Sequence, residues 1–80
     1  MSQPDFLTLA QLAVGDRAEV VRYHSDNDYT QNLMRLGLIP GTQLELVRRA
    51  PLGDPSEIRF RGFSLAIRPA EALALELKRA

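Results

Sequence analysis

Charged and apolar residues alternate along Glu57-Ile58-Arg59-Phe60-Arg61, which predicts a half-buried strand with Ile58 and Phe60 inward. Arg17–Tyr23 reads the same way, with Ala18, Val20 and the stem of Arg22 on one face and Val21 and Tyr23 on the other. Leu44 and Leu46 alternate with Glu45 and Val47 in a strand over Gln43–Ala50. Phe63–Ile67 and Leu73–Lys78 give two more, with Leu65, Ile67, Leu75 and Leu77 joining the predicted core. Arg61-Gly62 offers a tight hairpin turn between the third and fourth of these strands. Five short strands bury their apolar faces best by curling into one small barrel.

The helical signals are brief. Thr8 can cap a turn over Leu9–Ala13, with Gln11 completing a capping box. Asp28 can cap a helix over Tyr29–Leu36, with Gln31 as its box partner. In that helix Leu33 and Leu36 point to the barrel, leaving Asn32 and Arg35 exposed. Pro69 is placed to open a single turn over Ala70–Leu73. Met1–Leu7 reads as a loosely held lead-in.

Backbone punctuation is concentrated in two places. Gly37 stands where the helix needs a residue of positive φ to stop, and Pro40-Gly41 reads as the centre of a type II turn. Pro51, Gly53 and Pro55 form a second stiff loop. These motifs specify shape and supply no catalytic group.

Composition narrows the function classes. Eighty residues make one domain, 1–80, of modest core. With no cysteine, neither a disulfide framework nor a thiolate metal site can form. Ten basic and ten acidic residues cancel, so the chain lacks the basic excess of a nonspecific nucleic-acid binder. The first residues carry no signal-peptide pattern, and no run approaches the roughly 18 apolar residues of a membrane span. The expectation is a cytoplasmic domain that inserts into no membrane and would serve a membrane process by touching another protein.

Candidate chemistry is sparse. His24 is the one histidine, the glycines are scattered as turn residues, and the aspartates fall in loops and caps. A nucleophile–base pair or an acid–base cleft has nothing to be built from, so the expected protein is not an enzyme. His24, Asp26 and Asp28 could ligate a divalent cation weakly, but Asp and Asn are the residues expected in an N-cap loop. No metal and no cofactor is therefore assigned. Arg48, Arg49, Arg59, Arg61 and Arg68 lie on or beside the central strands, where the simplest reading is cross-strand pairing with Glu45, Glu57 and Glu76. The surface chosen for partner binding combines Asn32 and Arg35 of the helix with Pro51, Leu52, Gly53 and Asp54, because a stiff loop loses little entropy on docking.

Four blocks occur in an order that resembles the FeoA family. They are Leu9-Ala10-Gln11-Leu12-Ala13-Val14-Gly15-Asp16, Leu33–Thr42 with its Leu36-Gly37-Leu38-Ile39-Pro40-Gly41 centre, Ala50-Pro51-Leu52-Gly53-Asp54-Pro55, and Leu65-Ala66-Ile67-Arg68-Pro69-Ala70-Glu71-Ala72. The resemblance implies a mainly β fold, a small five-stranded antiparallel SH3-like barrel with an inserted short α-helix. It also implies an accessory role in bacterial ferrous iron uptake, through contact with the cytoplasmic GTP-binding part of a FeoB-like membrane iron transporter. Self-association is compatible with it. The alternative is a relation to the SH3-like C-terminal domain of DtxR-type iron-dependent repressors, although this chain carries no helix-turn-helix segment.

Overall fold

One face of every long strand feeds a single core made of Ala18, Val20, Leu44, Leu46, Ile58, Phe60, Ile67, Leu75 and Leu77. Leu9 and Leu12 close one part of it and Leu33 and Leu38 another. The computed structural model describes residues 6–49, 55–68 and 74–80. Their elements are β1 (Phe6–Leu7), a 3-10 turn (Leu9–Gln11), β2 (Arg17–Tyr23), α1 (Asp28–Arg35), β3 (Gln43–Arg49), β4 (Ser56–Phe60), β5 (Phe63–Ile67) and β6 (Leu75–Arg79). The strands form one antiparallel sheet in the order β1-β6-β2-β3-β4-β5. Each of the five predicted strands is present. A sixth, the two-residue β1, occupies part of the expected lead-in and pairs with β6.

The turns obey their local chemistry. Arg61 (φ 51°) and Gly62 (φ 81°) both take positive φ, as a two-residue type I′ hairpin demands. Gly41 has φ 93°, and the Thr42 N–H donates to the Ile39 carbonyl at 2.9 Å, closing the turn around Pro40. The Thr8 N–H donates to Gln11 Oε1 at 2.8 Å, one half of the anticipated box. The expected turns at Pro51–Pro55 and Ala70–Leu73 fall largely outside the described residues.

Three expectations need correction. α1 starts at Asp28 and is capped by Asn27, not by Asp28. Asn27 Oδ1 accepts from the Thr30 N–H, and Thr30 Oγ1 accepts from the Asn27 N–H, both at 3.0 Å. Either residue type can cap, so composition could not choose between neighbours. Second, Leu36 does not face the barrel. The helix stops at Arg35, Gly37 swings the chain at φ 108°, and Leu36 is left 43% exposed while Leu38 is buried.

The third correction comes from a bulge. β2 and β6 pair Val20 with Leu77 and Arg22 with Glu76, which makes Val21 an extra residue. The side-chain alternation slips there. Arg22 is therefore exposed, and Tyr23 packs against the core with its hydroxyl donating to the Leu38 carbonyl at 2.6 Å. Burial, with a smaller contribution from Tyr29, pushes the Tyr23 phenol up to about 12.

Two outcomes test this packing. Phe60 is 2% exposed and closes β4 as part of the buried core, so Phe60→Ala should cost about 3–5 kcal/mol in urea unfolding. An effect under about 1 kcal/mol would place Phe60 outside a close-packed core. Asp16 Oδ2 accepts from the Ala13 N–H at 2.9 Å and from Arg79 Nη1 at 3.1 Å. The Ala13 hydrogen bond first, and Arg79 second, hold its carboxyl below the ordinary 3.8. A depressed carboxylate stabilises the fold above its unfolded pKa and loses that contribution as pH falls through the folded one. Asp16→Asn should thus lower the melting temperature at pH 7, and the gap from the parent should close as acid protonates Asp16.

Candidate protein-docking surfaces

α1 places Asn32 and Arg35 on its solvent face because Leu33 and Thr30 are turned inward. With Asp28, Tyr29 and Gln31 they line a shallow depression of about 370 Å³. Tyr29 and Met34 are half-buried, Tyr29 packing against the core, so the depression has an anchored aromatic wall. Pro51, Leu52, Gly53 and Asp54 lie outside the described residues. The structure thus brings together the helical half of the expected surface.

The predicted arginine face divides into residues with different jobs. Arg49 is structural: its Nη2 donates to the carbonyls of Leu9 at 2.6 Å and Leu12 at 2.5 Å, and its Nη1 to that of Ala10 at 3.1 Å. It thereby binds the 3-10 turn to β3, supplying donors to the Ala10 and Leu12 carbonyls at the end of the turn and a second donor to that of Leu9, which also accepts from the Leu12 N–H. Cross-strand register sets Arg59 opposite Glu45 and Arg48 opposite Glu57, as anticipated. Arg17 is also opposite Glu45. Arg17, Arg59 and Arg61 line a second groove of about 230 Å³, floored by Leu44 and Phe60 at the β4–β5 hairpin.

Glu76 breaks the anticipated pattern. Its alternation with Leu75 and Leu77 suggests a solvated position, but its side chain is only 4% exposed. His24 Nε2 lies 2.5 Å from Glu76 Oε1, and Arg22 Nε lies 3.8 Å from the same oxygen. The Val21 bulge brings Arg22 opposite Glu76. His24, whose N–H donates to the Ala74 carbonyl at 2.7 Å, continues over the carboxylate. Only a sequence signal for the bulge would have found this cluster, and Val20-Val21 provides none.

The loop considered for metal is dispersed. His24 turns to Glu76, Asn27 caps α1, Asp28 opens the helix, and Asp26 Oδ1 accepts from Gln31 Nε2 at 3.1 Å. Among the described residues, no group of three or more His, Asp or Glu is placed to hold a metal ion. No helix among them is long and apolar enough to cross a membrane.

Residues 7–79 match the FeoA domain model. The solution structure of FeoA from Chlorobium tepidum superposes with a TM-score of 0.84 at 38% identity, covering 91% of this chain and 70% of that one. FeoA from Stenotrophomonas maltophilia complexed with zinc, reported as a prokaryotic SH3 domain protein, gives 0.78 at 24% identity over 90% of this chain and 89% of that one. IdeR from T. acidophilum gives 0.81 at 20% identity, with 100% of this chain covering 37% of that one, a likeness of fold. A Porphyromonas gingivalis Fe(2+) transport protein A/FeoB fusion protein is 26% identical over 72 residues. That match takes in 90% of this chain but 8% of the fusion protein's length. The fold is the small SH3-like barrel implied by the sequence resemblance, and the chain belongs to the FeoA domain family.

Proposed function

We propose that this chain is a cytoplasmic accessory module of ferrous iron uptake that acts by binding the cytosolic part of a FeoB-like transporter. The observation that carries this reading is the Porphyromonas gingivalis fusion, in which a FeoA region and FeoB share one polypeptide. Covalent linkage raises the effective concentration of one domain at the other, an arrangement that favours functional contact. The chain would act without chemistry of its own: docking biases the transporter between states in proportion to the difference in affinity for them. The contact would use the exposed Asn32 and Arg35 of α1 together with Pro51–Asp54. The IdeR likeness supports a shared fold, and nothing in the described residues favours a repressor role over the transporter one.

Arg35→Glu and Leu52→Asp test the surface. Arg35 is exposed, so its reversal should shift stability by no more than about 0.5 kcal/mol. Both variants should weaken binding to the cytoplasmic domain of the cognate transporter in calorimetric titrations, once circular dichroism shows them folded. Wild-type affinity in both would remove α1 and the 51–54 loop from the interface. Metal independence is tested separately. Because the fold is held by an apolar core, a chelator should leave the melting temperature unchanged. A drop of several degrees that vanishes in His24→Ala would make the His24–Glu76 corner a metal site.

A further inference from the structure

Among the described strands β5 lies at one edge of the sheet, and nothing in its own sequence guards it. Proteins usually blunt such edges with charges, proline, bulges or very short strands. β5 is five residues long, Phe63-Ser64-Leu65-Ala66-Ile67, with no charge, no proline and no register shift against β4. The opposite edge, β1, is only two residues long.

Hairpin geometry identifies the open groups. Phe60 and Phe63 flank a two-residue type I′ turn, so they exchange backbone hydrogen bonds. Alternation along β5 then points the N–H and C=O of Phe63, Leu65 and Ile67 at β4. Those of Ser64 and Ala66 point away from the sheet. Among the described residues, no other backbone group bonds to them. The side chains tell the same story. Ile67 is buried, Leu65 half-buried and Phe63 57% exposed, with its ring centroid 6.1 Å from that of Phe60. The inner face of the sheet therefore opens progressively towards the hairpin.

Charge selects the occupant. Exposed Arg61 and Arg68 bracket the uncharged strand. In the hairpin groove Glu45 stands opposite Arg17 and Arg59, and Arg61 has no acid across the strand among the described residues. A second copy fits poorly. Symmetric pairing is antiparallel, and in the register that matches Ser64 with Ala66 of the other copy, Arg68 falls opposite Gly62, beside Arg61. Like charges would meet at both ends.

We infer that β5 is a docking edge for an extended segment of another protein, one with apolar side chains at alternate positions and acidic residues at both ends. Such a segment adds a strand to the sheet, forming main-chain hydrogen bonds with Ser64 and Ala66 and covering Phe63 and Leu65. Its acidic ends meet Arg61 and Arg68. This inference stands apart from the α1 surface and does not depend on the partner's being a transporter.

The probe is a synthetic peptide of alternating valine and threonine with two glutamates at each end, acetylated and amidated. Added to the isotopically labelled chain, it should slow amide hydrogen exchange at Ser64 and Ala66 and shift their resonances. Replacing the glutamates by lysines should weaken binding by about tenfold or more. Methylating the peptide's alternate backbone nitrogens on its bonding edge should abolish binding to the unaltered chain, a test that requires no protein variant. Ser64→Pro removes the outward donor while sparing the β4 ladder, and it too should eliminate binding with the fold intact. Binding that tolerates both N-methylation and Ser64→Pro would overturn the assignment. So would equal affinity for the lysine-ended peptide, or a dimer in which the Ser64 and Ala66 amides become protected.

Discussion

The turn at Gly37 is the constraint on which the arrangement of helix and barrel depends. Its N–H donates to the Met34 carbonyl at 3.0 Å, and the next N–H, that of Leu38, reaches back to the Leu33 carbonyl at 3.1 Å. This paired closure satisfies two helix-end carbonyls and brings Leu33 and Leu38 together in the core. The following residues lock the turn to the sheet. Thr42, buried, donates its hydroxyl to the Gly37 carbonyl at 2.9 Å. The Val20 N–H donates to the Thr42 carbonyl at 2.9 Å, and the Gly41 N–H to the Val20 carbonyl at 2.8 Å. The Tyr23 hydroxyl then binds Leu38 from β2. The helix is therefore oriented by its exit, through hydrogen bonds to the strand that precedes it.

That exit also governs the hairpin. A Cβ at position 37 would lie 3.3 Å from Arg61 Cδ, so the arginine stem packs directly over the glycine. Glycine is needed there twice, for φ 108° and for this approach. Arg61 itself adopts φ 51°, a conformation that costs a non-glycine residue energy in a turn where Asn or Gly is usual. Its guanidinium gains a place beside the C-terminal end of α1, where a cation is favoured. Conformational strain and electrostatic placement are thus coupled at one residue, linking the end of the helix to the end of the edge strand.

How far the sequence anticipates this depends on what interrupts its periodicity. β4 was legible because Ile58 and Phe60 alternate with charges without a break, and the hairpin was legible because Gly62 marks it. Asn32 and Arg35 were placed on the exposed face because Leu33 fixes the phase of the helix. Arg22 and Tyr23 depart from the alternation because a single extra residue at Val21 changes the side-chain phase of β2, and two adjacent valines suit either phase equally. Glu76 keeps its own phase in β6 and is buried because Arg22 and His24 come to lie over it. Leu36 was misassigned because helical spacing continued to be applied one residue beyond the point where the backbone leaves the helix. In both cases the governing event is a backbone irregularity, to which side-chain patterning is blind.

The arginines show how a neutral chain can still present directed charge. Arg49 is consumed in holding the 3-10 turn, Arg79 pairs with Asp16, and Arg22 leans on Glu76. Arg17, Arg48 and Arg59 have acids across the strand, Arg17 and Arg59 sharing Glu45. What remains without an acid among the described residues is distributed by topology, with Arg35 on the helix face, Arg68 at one end of β5, and Arg61, exposed and packed over Gly37, at the other. Since ten acids and ten bases cancel overall, recognition by these residues must be local. A partner would feel them only within about a Debye length, roughly 8 Å at physiological salt. Long-range attraction would contribute little to finding this protein, and specificity would rest on the fit of backbone and side chains after contact.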